Sequence, residues 1–92
     1  MSVNIGDIVR ALAGRDEGRL FAVVAVDDKD ENYVWIADGR SRRADKPKRK
    51  KIKHLKLFHA ATFELKEGDR LTNAFLRKTI TECEKCENLQ KN

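Results

Sequence analysis

Short apolar runs separated by polar turns dominate the first two thirds of the chain. Segments 8–12, 20–26 and 33–37 are rich in valine, isoleucine and aromatic residues. Such residues favour β-strands, and the runs are too short for typical helices. The acidic segment 27–32 lies between the second and third runs and has the composition of a hairpin loop. The pattern therefore predicts strands paired in antiparallel hairpins.

The pattern is less regular after the third run. Asp38 and Gly39 favour a type I′ turn, in which both central residues have positive φ, followed by a short strand over 40–44. We predict a tight turn over 48–53 and a last short strand over 54–58. About five short strands joined by tight turns indicate a mainly β fold, a small barrel.

The last third of the chain has helical character. Residues 71–80 combine helix-forming and apolar positions, and Thr72 is suited to cap the helix N-terminus. Leu71, Phe75 and Ile80 would form its apolar face, which we expect to pack on the barrel. We predict a polar tail that frays beyond this helix.

The chain length sets the domain organisation. With 92 residues, the chain fits one domain with a modest core. We divide it into a barrel over 1–60, a helical extension packed on the barrel over 61–82, and the tail over 83–92. Charged residues make up 38% of the chain, well above the usual ~25%, so much of it must be solvated or bind a partner.

Charge is segregated along the chain. Segment 40–56 holds ten lysines or arginines and one acidic residue, whereas the remainder holds ten basic and fourteen acidic residues. A body that is slightly acidic therefore carries one strongly basic segment, which indicates a polyanionic partner. The alternatives are a solvated edge, a disordered basic tail or an anionic membrane surface. No amphipathic helix adjoins the segment, which disfavours the membrane.

A resemblance to a known protein family indicates which class of polyanion the partner belongs to. The residues that carry it are Gly6-Asp7-Ile8-Val9, Ala13 to Arg19, Val23 to Val26, Val34 to Gly39, Lys46 to Lys50, and Lys53-His54-Leu55. Together they resemble the KOW-type large-subunit ribosomal proteins of archaea and eukaryotes and their small bacterial relatives. The resemblance covers roughly residues 3–57, and it implies an SH3-like barrel that binds RNA.

The candidate RNA-binding residues come from the basic segment and from one loop. In KOW modules the loop corresponding to Gly14–Gly18 commonly meets RNA, with the two glycines as structural residues; an ordinary β-turn is the alternative. The full predicted set is Arg15, Arg19, Arg40, Arg42, Arg43, Lys46, Lys48, Arg49, Lys50, Lys51, Lys53, His54 and Lys56.

Two aromatic residues on the third strand have two possible roles. Tyr33 and Trp35 share one strand face, since side chains alternate, while Val34 and Ile36 would fill the barrel. The aromatic rings could stack on unpaired bases. Alternatively, and in our interpretation more favourably, Trp35 packs under the C-terminal helix.

Candidate chemistry is sparse. Cys83 and Cys86 have the spacing of half a zinc site, but a structural zinc site needs four ligands and the chain has no second pair. We therefore predict no metal and no cofactor. Neither a phosphate-binding glycine loop nor a nucleophile motif is present, so we predict a protein that is not an enzyme.

The sequence thus predicts a non-enzymatic RNA-binding module that contacts ribosomal or other structured RNA through a basic barrel face. The alternative is an SH3-like protein-interaction module that serves transcription or translation. We expect a monomer with no membrane contact, and ribosomes or translation factors are the candidate partners besides RNA. Residues 1–4 lack the pattern of a secretory signal, and the one close cysteine pair near the C-terminus cannot staple a fold, so we expect a location in the reducing cytoplasm.

Overall fold

A computed structural model describes residues 3–66 and 68–90. Its elements are strands β1 (Ile8–Ala11), β2 (Leu20–Val26), β3 (Tyr33–Ala37), β4 (Lys48–Lys51) and β5 (Leu55–His59), and helix α1 (Asn73–Gln90). A 3-10 turn over Ile52–His54 joins β4 to β5. Strands β2 and β3 have the predicted bounds, and the last strand lies one residue later than expected.

The five strands form one antiparallel sheet in the order β4-β3-β2-β1-β5. The pairing register shifts between Val23 and Ala25 in β2 and between Ile8 and Val9 in β1. Such irregularities bend a strand and increase its twist, which helps a short sheet curl on itself. The architecture is compatible with a small SH3-like barrel, and the predicted mainly β class with a C-terminal helix is confirmed.

Strand alternation divides the buried side chains between two clusters. One lies inside the curved sheet, where Val34 and Ile36 are almost fully buried, as predicted. The other lies between the opposite sheet face and α1. Its buried members are Ile8, Leu20, Ala22, Ala37, Leu76, Ile80 and Cys83.

Helix α1 begins as predicted but continues for ten residues beyond the expected end. The Thr72 hydroxyl accepts a hydrogen bond from the Phe75 amide at 3.1 Å, so Thr72 is the N-cap. The predicted apolar face is only partly right, because Phe75 is 41% exposed. The buried stripe is Leu76, Ile80 and Cys83, whose spacing follows the helical repeat.

The predicted tail therefore begins inside the helix. Residues 83–90 are helical, since Cys83 extends the buried stripe and the residues after it are mostly good helix formers without glycine or proline. The remaining predicted tail residues, 91–92, lie outside the described part of the chain.

The type I′ turn and the strand predicted over 40–44 are both wrong. Only Gly39 of the turn pair has positive φ, at 79°. The Asp38 carboxylate accepts hydrogen bonds from the Arg40 and Arg42 amides at 2.9 and 2.8 Å. These side-chain bonds offer the backbone an alternative to a β-ladder and fold the segment into a loop.

The tight turn predicted over 48–53 is also wrong over its first four residues. Lys48–Lys51 form β4, an edge strand that pairs only with β3 along the described chain. Four consecutive cations give no hydrophobic alternation, so the strand had no sequence signature. Charged residues are nevertheless well suited to an edge, because they discourage pairing with other chains.

Helix α1 is too polar to cross a membrane, and no other helix in the described part of the chain is long enough to do so.

Candidate functional site

The four cations of β4 are divided between the two faces of the sheet. Lys48 and Lys50 stand opposite Ile36 and Val34 in the register, on the face that encloses the inner cluster. Their side chains extend across the edge of this cluster toward the loop between β1 and β2. Long lysine stems can cover apolar surface while the ammonium group reaches a polar partner.

Asp16, in the β1–β2 loop, is the partner of two cations from the basic segment. Its carboxylate is 3.3 Å from Lys48 Nζ and 3.3 Å from Arg42 Nη2. The Asp16 side chain is only 9% exposed, whereas both cations are about one third exposed. Lys50 adds a hydrogen bond from Nζ to the Ala13 carbonyl at 3.3 Å. Part of the basic segment therefore fastens this loop to β4.

The electrostatics of Asp16 are consistent with that role. Burial by itself would raise the pKa of the carboxyl group, but hydrogen bonds from Lys48 and Arg42 outweigh burial and hold the pKa below its usual value. Asp16 is thus ionised at neutral pH. The role of Asp16 as an anchor was not predicted, because its partners lie 26 and 32 positions away in the chain.

The outer face of β4 also carries a fixed cation. The Arg49 guanidinium lies 3.7 Å from the centre of the Tyr33 ring and donates a hydrogen bond to Asp27. This bond, together with the backbone amide of Lys29, lowers the pKa of Asp27. Arg49 already covers the Tyr33 ring, so that ring is a poor platform for a base.

The position of Trp35 also differs from our preferred interpretation, in which this residue packs under the C-terminal helix. It is half-buried and stands opposite Arg49, but it is not among the described residues that pack in the cluster under α1. Phe63 lies in that position instead and makes an edge-to-face contact with Phe75, with ring centres 5.4 Å apart. The segment before the helix has no strand or helix pattern in the sequence, so the contact between Phe63 and Phe75 could not be predicted.

The thirteen predicted RNA-binding residues fall into three groups. Four form ion pairs with carboxylates, and three others are partly buried. The paired residues are Arg42, Arg43, Lys48 and Arg49. The partly buried ones without a carboxylate partner among the described side chains are Lys50, Lys51 and His54. Those that are exposed and lack such a partner are Arg15, Arg19, Arg40, Lys46, Lys53 and Lys56.

The two glycines of the loop, predicted as structural residues, both adopt positive φ. Gly14 and Gly18 have φ values of 85° and 87°, in the left-handed region that favours glycine. The loop is closed by backbone hydrogen bonds, among them one from the Gly18 amide to the Ala11 carbonyl at 2.8 Å. Arg15 and Arg19 are exposed on it.

Two further arginines lie beside predicted RNA-binding residues but were absent from the predicted set. Arg10 in β1 donates from Nη1 to the Gly18 carbonyl at 2.7 Å, beside Arg19. Arg77 in α1 donates from Nη1 to the Gly39 carbonyl at 2.8 Å, beside Arg40. Arg10 is a single cation in an apolar run, and Arg77 has only Lys78 beside it, so neither stands out in the sequence and only the fold identifies them.

The two cysteines both lie in α1 but differ in exposure. Cys83 packs in the cluster under α1, and burial raises the pKa of its thiol, whereas Cys86 is exposed. A buried thiol with a raised pKa is a weak metal ligand and a weak nucleophile. Over residues 3–66 and 68–90, no three histidine, cysteine or acidic side chains are grouped as a metal site would require.

Comparison of the chain with protein-family models and with curated proteins gave no match.

Proposed function

We propose that this protein is a non-enzymatic RNA-binding module of the cytoplasm, acting as a monomer on ribosomal or other structured RNA. The observation that carries the proposal is a set of exposed lysines that have no carboxylate partner among the side chains that the structure describes, chiefly Lys46 before β4, Lys53 after it and Lys56 in β5. The KOW resemblance supports RNA over other polyanions.

The mechanism is electrostatic docking. Lysines and arginines that neutralise phosphates release condensed counterions, so affinity falls steeply with salt. Strand β4 and the loops fastened by Asp16 would hold these cations in a fixed arrangement. A rigid basic surface suits recognition of RNA by shape and backbone, with few contacts to base edges.

The structure directs the test away from β4 itself. Charge reversal at Lys48 would place a carboxylate against Asp16, and lost binding could then mean lost folding. The better variant is Lys46→Gln/Lys53→Gln/Lys56→Gln. Affinity falls as salt rises. Removing three phosphate contacts should make this fall less steep, reducing the magnitude of the slope of log affinity against log salt by about 2 to 3.

A matched control removes three exposed lysines elsewhere, as Lys29→Gln/Lys66→Gln/Lys78→Gln. Binding to a structured ribosomal RNA fragment is measured by fluorescence anisotropy at several salt concentrations. The control should keep nearly the wild-type slope. Equal slopes for wild type and the first variant, both folded by circular dichroism, would refute the proposed surface.

Exposed apolar side chains favour a second candidate, a protein-interaction module. Leu65 and Phe75 are 37% and 41% exposed and lie beside Phe63. Partners recovered from cell extract distinguish the two candidates. Proteins that remain bound after nuclease and high salt support protein interaction, and partners lost under both treatments support RNA binding.

A further inference from the structure

A cleft separates helix α1 from the loops at one end of the sheet. Its volume is about 540 Å³. Gly18–Leu20 and Asp38–Ser41 form two of its walls, and α1 forms the third. Leu20 and Ile80, both buried in the cluster under α1, lie at its base. Four arginines line it, namely Arg10, Arg19, Arg40 and Arg77. We call it the arginine cleft.

Three of these guanidinium groups are held in place by uncharged oxygen atoms. Arg10 and Arg77 donate to the carbonyls of Gly18 and Gly39, and Arg19 donates from Nη1 to the Ser41 hydroxyl at 3.0 Å. A guanidinium has five N–H donors, so each keeps others for a ligand. A neutral acceptor also leaves the positive charge uncompensated, whereas a carboxylate would cancel it.

The same arginines have no carboxylate within ion-pairing distance among the described side chains. The acidic residues that line the cleft are Asp38 and Glu84. Asp38 already accepts two backbone amides and the Ser41 hydroxyl, so it is engaged within its own loop. Glu84 is exposed on α1. Four cations therefore outnumber two carboxylates in a partly enclosed space, where electrostatic attraction is stronger than on an open surface.

A phosphate group is the ligand that fits this arrangement best. The planar fork of a guanidinium matches two phosphate oxygens, and arginine is the residue of choice for such contacts. The donors come from β1, from two loops and from α1, so the cleft is preformed once the helix packs.

We propose that the arginine cleft binds a backbone phosphodiester of the RNA that docks on the exposed lysines Lys46, Lys53 and Lys56. The inference rests on the proposed function and adds to it a second contact area, which includes Arg10, Arg77 and the helix. A free inorganic phosphate presents the same chemistry, and the test distinguishes the two sources.

The sharpest test removes a repulsive charge, because a gain in affinity cannot come from misfolding. Glu84→Gln takes away the exposed carboxylate at the cleft, and RNA binding should tighten by about threefold at low salt. Glu82→Gln is the matched control: the same change, two residues away on the same helix, at an exposed position that does not line the cleft. It should leave affinity nearly unchanged. An equal effect of both variants, or none from Glu84→Gln, would overturn the inference.

A second variant tests the attractive side. Arg19→Gln/Arg40→Gln removes two exposed cations, and it should weaken RNA binding by about tenfold or more and lower the salt slope by about 1.5. Lys66→Gln/Arg70→Gln removes the same charge from exposed positions outside the cleft and should have little effect. Wild-type affinity in a folded Arg19→Gln/Arg40→Gln variant would overturn the inference.

The outcomes separate this inference from the proposed function. If wild-type protein binds RNA and only the cleft variants behave like wild type, the cleft proposal fails and the RNA-binding proposal stands. If wild-type protein binds no RNA, both fail. Nuclear magnetic resonance of the arginine side chains identifies the source of the anion: RNA should shift Arg10 and Arg77 at micromolar concentrations. Shifts from inorganic phosphate but none from RNA would contradict a phosphodiester site.

Discussion

Strand β4 and the arginine cleft are both rich in cations, but they use them differently. The cations of β4 are consecutive in the sequence, and Lys48, Lys50 and Arg49 fasten neighbouring loops through carboxylate or carbonyl partners. The cleft arginines come from distant positions, and three of the four are fixed by uncharged oxygens. The comparison shows that a dense run of charge in a sequence does not measure the charge that remains available to a ligand.

The largest expected effect concerns the loop that forms one wall of the cleft. Gly39 has positive φ, and a Cβ atom there would overlap the backbone carbonyl of Asn73 at the start of α1. Gly39→Ala should therefore lower the free energy of unfolding by about 3 to 4 kcal/mol. Gly18→Ala meets no atom within 4 Å and should cost about 1 to 2 kcal/mol, from the backbone conformation alone. Urea unfolding measures both, and equal losses would contradict the close contact between loop and helix.

A smaller effect tests whether β4 has a structural role. Lys48→Glu replaces a partner of Asp16 with a second carboxylate beside a side chain that is only 9% exposed. We expect a loss of about 2 to 3 kcal/mol in the free energy of unfolding. Lys46→Glu makes the same change at an exposed neighbouring position and should stay within about 0.5 kcal/mol. If both variants were equally stable, the ion pair with Asp16 would contribute nothing to the fold.

The smallest expected effect is on acid stability. The folded-state pKa of Asp16 is lowered, so the unfolded chain takes up the proton first as the pH falls. The stability from Asp16 is therefore complete well above its ordinary pKa of 3.8 and is lost as the pH falls from there through the folded value. Asp16→Asn should flatten the pH dependence of unfolding in this acidic range.

The control for this experiment is Asp45→Asn. Asp45 pairs with Arg43, but both side chains are about two thirds exposed, and such pairs contribute little. Urea unfolding at a series of pH values compares the variants. A wild-type acid profile in Asp16→Asn would contradict the role of this carboxylate as an anchor.

The fold was predictable where side chains alternate between core and surface. Strands β2 and β3 have the expected bounds because their β-branched residues bury on one face or the other. The loop after β3 was not predictable from composition, since the Asp38 side chain competes with strand pairing. Strand β4 was missed because its four consecutive cations show no alternation of apolar and polar residues.

The candidate site was predictable only as a region. The segregation of charge located the basic surface, but it did not distinguish cations that pair internally from those that remain unpaired. That distinction depends on Asp16, which lies far from Lys48 in the chain and meets it only after the sheet has formed. Arg10 and Arg77 lie outside the basic segment of the sequence, and the packing of α1 on the sheet brings them beside Arg19 and Arg40.

We propose that this chain binds RNA through cations that have no carboxylate partner in the described part of the chain. Ultraviolet crosslinking in cells, followed by mass spectrometry of the RNA-linked peptides, tests it most directly. We predict linked peptides from segment 40–56 and from the walls of the arginine cleft. Failure to recover any linked peptide, or recovery only from segment 60–72 between β5 and α1, would contradict the account.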